Sequence, residues 1–224
     1  MIKNRTAQLI FETIYVTLGF IGSVACLGIF DNVNAIHWEF YVHFTNHSNF
    51  LCIGVMLAGL IQTAKKKEDG FVSVAPMLKF ISTIGILLTF FVFNFVLAGA
   101  ADRDPQANWK VGSLIFHVVL PIMYTADWLL FYERKKSRWY YPVASLAFPL
   151  VYIIFLLIQA VILKFDSSIL IPGTTNPLIY PYFFLNLDRQ GVGVVLAWIG
   201  FLAAAFVMAG FLLFGFDKLG KKKN

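Results

Sequence analysis

Charged residues and cysteine are scarce in this sequence. Only 13% of the 224 residues are Asp, Glu, Lys or Arg, whereas soluble domains carry about 25%. The two cysteines cannot form a disulfide framework, and they show no CxxC or CxxCH spacing. A Gly-rich phosphate loop is also missing from the sequence. These absences argue against a water-soluble enzyme, a nucleotide-binding protein and a haem protein.

Long hydrophobic stretches dominate the chain. Hydrophobic residues make up 59% of it, with a mean hydropathy of +0.74. A helix needs roughly 20 mostly apolar residues to cross the hydrocarbon core. Six stretches meet that length, at about 8–30, 44–63, 79–101, 111–131, 143–163 and 191–214. The sequence therefore predicts an all-α bundle of six transmembrane helices that forms a single domain over residues 1–224. Gly19 and Gly22 in the first helix and Gly200 in the last are predicted to let helices approach closely.

Basic residues indicate how these spans are oriented. Cytoplasmic loops of membrane proteins carry an excess of Lys and Arg. Fourteen of the 18 Lys and Arg lie on one side, counting Lys79 at the start of the third span, and four lie on the other. Both termini are therefore predicted to be cytoplasmic. The net charge of +6 reflects the excess of basic residues on the cytoplasmic side. It is therefore interpreted as a topology signal, and no nucleic-acid partner is predicted from it.

Two acidic residues fall inside the predicted spans. Glu12 and Asp127 each lie four residues, or about 6 Å at 1.5 Å per helical residue, from the cytoplasmic end of their span. An ionisable side chain in a span is costly and is by default a candidate functional residue. We expect the two carboxyl groups to share a proton, to pair with Tyr15 or Tyr124, or to line a polar pocket. Contacts with the headgroups or with neighbouring helices are the alternative.

Polar residues gather where the second span enters the outer leaflet. Thr45, Ser48, Asn49 and Cys52 recur at helical spacing, so they are predicted to form one stripe. Lipid disfavours such a density of hydrogen-bonding groups unless they face protein or water. Capping of the helix by Thr45 or Asn46 is an alternative interpretation.

Residues of two other spans are predicted at the same depth. By the same count, Asn94 lies about 10 Å into the third span and His117 about 9 Å into the fourth, so both are predicted to share a layer with the polar stripe that begins at Thr45. The first hypothesis takes Thr45 as a nucleophile and His117 as the base that it needs. Nearby polar groups would support the site or stabilise an oxyanion; the candidates are Asn46, Ser48, Asn49 and Asn94. A lipid ester places its carbonyl near this depth.

Two other hypotheses fit the same residues. In one, His43 and His47 at i, i+4 and His117 bind zinc in a three-histidine lipid hydrolase, although no glutamate lies between the first two. In the other, the protein is a transporter or binding protein whose polar layer holds a small solute. The clustering of polar groups towards one leaflet, rather than at the midplane, disfavours transport.

The opening of the second span also resembles a known family. Phe44–Asn49, His117 with Pro121, and the run Asp127–Phe131 resemble the microbial branch of the androgen-induced-protein-like integral membrane proteins. The resemblance covers most of the chain as a six-span layout. Animal members of that family hydrolyse fatty acid esters of hydroxy fatty acids with an intramembrane threonine and histidine.

That resemblance implies an enzyme in which Thr45 is the nucleophile and His117 the general base. It implies a lipid substrate from the bilayer and no cofactor. The predicted location is a multi-pass position in the plasma or inner membrane of a bacterium, or in the endoplasmic reticulum or plasma membrane of a eukaryote. The sequence predicts neither the acyl-chain length nor the oligomeric state.

Overall fold

A computed structural model describes residues 2–30, 36–70, 72, 74–100, 105–171 and 175–219. Six helices in these ranges are long and apolar enough to cross a membrane. They are α1 (Arg5–Cys26), α2 (Phe44–Lys65), α3 (Pro76–Leu97), α4 (Val111–Leu130), α5 (Tyr141–Ile162) and α6 (Leu187–Lys218). The all-α, six-helix prediction is therefore confirmed, with helix ends shifted by a few residues from the predicted bounds.

Local sequence explains several of the helix ends. The Asn4 side chain accepts a hydrogen bond from the backbone N–H of Ala7 and so caps α1. Pro76 occupies the first turn of α3, where no backbone N–H is needed. In α6 the helical geometry breaks at Gly191, whose φ of 72° lies in the left-handed region that glycine tolerates. The sixth span was predicted to begin at that glycine.

The connections divide between two ends of the bundle. At the end that we call the terminal end, the N–H of Ile2 donates to the carbonyl of Leu130, and the N–H of Gly70 donates to that of Lys3. The backbone N–H of Lys135 donates to the carbonyl of Asp217, near the end of α6. Both ends of the described chain therefore lie together with the α2–α3 and α4–α5 turns. The other three connections lie at the opposite end.

Helices α2 and α3 occupy the centre of the bundle. Helix α1 packs on α2 and α4, while α3 packs on α2, α4 and α6. One apolar core lies between α1, α2 and α4 around Tyr15, Met56 and Phe116. A second core lies between α3, α4, α5 and α6 around Phe80 and Trp128.

Only some of the predicted small residues mediate close packing. A Cβ at Gly22 would lie 2.6 Å from Phe116, and one at Gly19 would lie 2.7 Å from Ile53. At Gly200, by contrast, a Cβ would meet nothing within 4 Å. Helix α6 instead packs tightly on α5 at Gly210, where a Cβ would lie 2.8 Å from Cα of Pro142.

We expect Gly210→Ala to destabilise the bundle by about 1–3 kcal/mol, because a methyl group there overlaps backbone that cannot rotate away. Gly200→Ala on the same helix is the matched control and should stabilise the protein by up to about 1 kcal/mol, since alanine favours helix. Thermal unfolding in detergent would measure both. Equal effects of the two substitutions would contradict the packing assigned to Gly210.

Candidate functional site

A cavity of about 190 Å³ lies between α2, α3, α5 and α6 at the opposite end of the bundle. Its wall is almost entirely apolar and includes Phe44, Leu88, Phe93, Leu150, Leu202, Ala203 and Phe206. The polar residues on this wall are Thr45, Thr89, Tyr152 and Tyr182. A hydrocarbon chain beside a few hydroxyl groups fits such a lining.

The connection between α5 and α6 closes one side of the cavity. Tyr182 and Phe184 stack with their ring centroids 5.2 Å apart, and Phe184 stacks on Trp198 of α6. The Tyr152 hydroxyl donates to the carbonyl of Val42 at 2.7 Å. These contacts bring the α5–α6 connection and the segment before α2 together around the cavity.

Thr45 lies in the first turn of α2 and is buried. Its backbone carbonyl accepts hydrogen bonds from Oγ of Ser48 and Nδ2 of Asn49, both at 2.9 Å. Oγ of Ser48 also lies 2.7 Å from Oγ1 of Thr89. The predicted stripe therefore faces the protein interior and joins α2 to α3, with the Thr45 residue on the cavity wall.

Tyr182 is a titratable group beside the first turn of α2. Its hydroxyl oxygen accepts a hydrogen bond from the backbone N–H of Phe44 at 2.8 Å. Burial raises the pKa of Tyr182, while hydrogen bonding with Phe44 and Thr45 opposes that rise. The net direction is upwards, so the phenol keeps its proton at neutral pH and remains a hydrogen-bond donor.

The asparagine side chains that were predicted to support the site donate hydrogen bonds to backbone carbonyls. Nδ2 of Asn49 donates to the carbonyls of Thr45 and Phe116, and Nδ2 of Asn46 donates to the carbonyl of Phe40. Both amide hydrogens of Asn49 are thereby used, which leaves none for an oxyanion. The capping alternative is wrong, because Thr45 and Asn46 lie inside α2, whose N-cap residue is His43.

His117 lies on a π-helical turn, Ile115–Val119, that interrupts α4. A second π-helical turn, Phe93–Leu97, ends α3. Nδ2 of Asn94 joins the two turns by donating to the carbonyls of Phe90 and His117, at 2.8 and 3.2 Å. Such turns are frequent at functional sites, and periodicity in the sequence gave no sign of them.

The imidazole of His117 is held by two contacts. Nδ1 lies 2.9 Å from the carbonyl of Ser113 and 3.2 Å from its hydroxyl. The ring stacks on Phe93 with centroids 3.4 Å apart. With the proton on Nδ1 donated to the carbonyl, Nε2 is the basic nitrogen. Phe93 lines the cavity and His117 does not, so Phe93 covers the imidazole on the cavity side.

The three histidines of the zinc hypothesis have different partners. His43 precedes α2 and packs edge-on against Tyr182, while Nε2 of His47 donates to the carbonyl of Tyr41. Among the residues described, no group of three His, Cys, Asp or Glu side chains could hold a metal ion. The three-histidine ligand set is therefore wrong, because helical spacing directs His47 away from the stripe that faces α4.

A second polar cluster lies at the terminal end. Oδ2 of Asp127 is 2.6 Å from Nζ of Lys79, and Oε1 of Glu12 accepts from Nε2 of Gln8 at 2.9 Å. The Tyr124 hydroxyl instead lies 2.7 Å from Oγ of Ser82. The predicted pairing of the carboxyl groups with tyrosine is therefore wrong.

Sequence reasoning missed the role of Lys79, which was counted among the cytoplasmic basic residues as the first residue of the third span. The side chains of Lys79 and Asp127 are both only 7% exposed, so the pair is buried in the bundle. The proline at 76 was the available signal, because proline favours the first turn of a helix and would have placed Lys79 one turn inside α3.

The six long apolar helices define a helical protein of the multi-pass membrane type. Comparison with protein-family models, with curated proteins and with solved structures finds no match.

Proposed function

We propose that this chain is an intramembrane hydrolase of lipid esters, with Thr45 as nucleophile and His117 as general base. One observation carries the proposal: a threonine residue lies on the wall of an otherwise apolar cavity between helices. The lining suits an acyl chain, and the hydroxyl groups mark the end at which an ester carbonyl would be placed.

In the proposed reaction, Oγ1 of Thr45 attacks the ester carbonyl and its proton passes to Nε2 of His117. The tetrahedral intermediate then expels the alcohol oxygen, which takes that proton. Water, activated by the same imidazole, hydrolyses the acyl-threonine and releases the fatty acid. His117 reaches Thr45 in this scheme when the Phe93 side chain rotates off the imidazole.

Tyr182 is the proposed donor to the oxyanion. It is held beside Thr45 by the hydrogen bond from the Phe44 N–H, and its raised pKa keeps the phenol protonated. This assignment replaces the amide groups of Asn49 and Asn94, which each donate both hydrogens to backbone carbonyls, and that of Asn46, which donates to the carbonyl of Phe40. Ser48 retains a supporting role through its bonds to Thr45 and Thr89.

The proposed substrates are fatty acid esters of hydroxy fatty acids or related lipid esters that enter from the bilayer. The support is the resemblance of Phe44–Asn49 and His117 to a family of such hydrolases, together with the apolar cavity. The terminal end is proposed to face the cytoplasm, because most Lys and Arg flank it. The cavity would then open towards the outer leaflet.

The test is hydrolysis by the purified full chain in detergent, with fatty acid esters of hydroxy fatty acids of graded chain length as substrates. Release of both acid and alcohol products supports the proposal. Solute uptake into proteoliposomes without ester turnover would instead support the transporter hypothesis.

Filling the cavity should change the preferred chain length. Ala203 lines the cavity, and we expect Ala203→Phe to raise KM for long acyl chains about ten- to thirty-fold, since it displaces a few methylene groups at about 0.8 kcal/mol each. Short esters should be affected little. The matched control is Ala204→Phe, because Ala204 is exposed at the next position of the same helix. The same loss in both variants would contradict acyl binding in this cavity.

A further inference from the structure

Glu12, Lys79 and Asp127 come from three helices and line one small cavity near the terminal end. The cavity measures about 20 Å³, which is room for a single water molecule. Gly59 of α2 also lines it, and at 1.5 Å per residue Gly59 lies about 21 Å along α2 from Thr45. The cluster is therefore separate from the proposed hydrolase site.

Asp127 and Lys79 form the charged part of this cluster. Their Oδ2 and Nζ atoms are 2.6 Å apart, with both side chains buried. Nζ of Lys79 also lies 3.6 Å from the ring centroid of Tyr124. This contact favours the cationic form of Lys79. Because the two charges compensate each other, a third ionised group in the cluster would have no partner charge.

Glu12 is that third group, and the polar side chains beside it, Gln8 and Thr63, carry no charge. Oε1 accepts from Gln8, whereas Oε2 is buried with no hydrogen-bond partner among the residues described. Oδ1 of Asp127 is likewise buried and unpartnered. Two buried acceptor oxygens on the wall of one cavity therefore each lack a hydrogen-bond donor, although buried polar groups are normally paired.

In the part of the chain that the structure describes, the surroundings of Glu12 supply no further cation to the cavity. The ionisable and polar groups on the elements packed around it are Arg5, Gln8, Tyr15, Thr63, Lys79, Tyr124, Asp127 and Tyr132. The Arg5 guanidinium donates to the carbonyls of Thr63 and Ala64 at the end of α2. With both carboxylates ionised, the cluster of Glu12, Lys79 and Asp127 would carry a net charge of −1 inside the bundle.

We propose that this cluster is a proton-binding site in which Glu12 carries a proton at neutral pH and shares it with Asp127. A proton on Oε2 of Glu12 gives the cluster a net charge of zero. The resulting O–H donates towards Oδ1 of Asp127, directly or through one water in the cavity, so a single proton satisfies both unpartnered oxygens. The proton comes from water at the terminal end of the bundle.

The test is infrared spectroscopy of the purified full chain in detergent at neutral pH, where exposed carboxyl groups are ionised. We expect a carbonyl stretching band of a protonated carboxylic acid in the wild-type protein. Glu12→Gln should abolish the band. The matched control is Glu133→Gln, which alters an exposed glutamate paired with Lys136 and should leave the band unchanged.

Asp127→Asn gives a second, independent prediction. It removes the partner of Lys79, so Glu12 should ionise to replace it and the neutral-pH band should again be lost. A wild-type spectrum without the band, or a band that survives Glu12→Gln, would overturn the proposal. So would a band that appears only after sodium is replaced by choline at constant ionic strength, because the cluster would then hold Na⁺ instead of a proton.

Discussion

Thr45→Ala is expected to lower kcat for lipid-ester hydrolysis by about three orders of magnitude or more, to the background rate. Loss of a nucleophile in comparable hydrolases has effects of this size or larger, because no other group can form the covalent intermediate. Thr45→Ser should retain measurable turnover, since it keeps the attacking oxygen. The measurement is kcat and KM with a fatty acid ester of a hydroxy fatty acid.

Thr89→Ala is the matched control for that experiment. Thr89 also lines the cavity, but its hydroxyl, which is bonded to Ser48, is proposed neither to attack the ester nor to transfer a proton. We expect this variant to keep kcat within about tenfold of wild type. An ester-directed fluorophosphonate probe should label wild type and Thr89→Ala but not Thr45→Ala. Turnover by Thr45→Ala at the wild-type rate would eliminate Thr45 as the nucleophile.

Lys79→Met is expected to cause the largest loss of stability, about 3 kcal/mol or more in the free energy of unfolding. Removing one partner of a buried ion pair leaves the other without compensation, and Asp127 is 7% exposed. Unfolding by titration with a denaturing detergent would measure the change. Lys136→Met, which breaks an exposed pair with Glu133, should change stability by less than about 1 kcal/mol.

The double variant Lys79→Met with Asp127→Leu separates this explanation from a simple packing defect. Replacing both charges with apolar groups of similar size removes the unpaired carboxylate. We therefore expect the double variant to recover most of the stability that Lys79→Met loses. A loss equal to the sum of the two single substitutions would show that the ion pair contributes nothing.

Helix number and the burial of the stripe follow from local sequence. Twenty apolar residues in succession can satisfy their backbone hydrogen bonds in a membrane only as a helix or in a closed barrel, so periodicity and length predicted α1 to α6. Thr45, Ser48 and Asn49 were predicted to share one face, and the structure buries all three. The pairing of Thr45 with His117 in catalysis stays a prediction.

Contacts between distant residues could not be predicted in the same way. Asn49 and Asn94 were candidates for an oxyanion site, yet their amides bond to carbonyls on α4. Asp217 lies near the end of α6 among basic residues, yet it is fully buried and accepts from the N–H groups of Lys135 and Ser137. A side chain's partner depends on helix rotation and register, which composition does not specify.

The sequence by itself determined that the chain forms six membrane-type helices. It also determined that the polar residues within them cluster at a few positions along the helix axes. Both properties depend on residues that are close together in the chain. The tertiary structure decided which polar groups meet. It paired Lys79 with Asp127 across helices α3 and α4, placed Tyr182 beside the first turn of α2, and set Phe93 between the cavity and His117. Each of these contacts joins residues from separate elements, so packing alone fixes it.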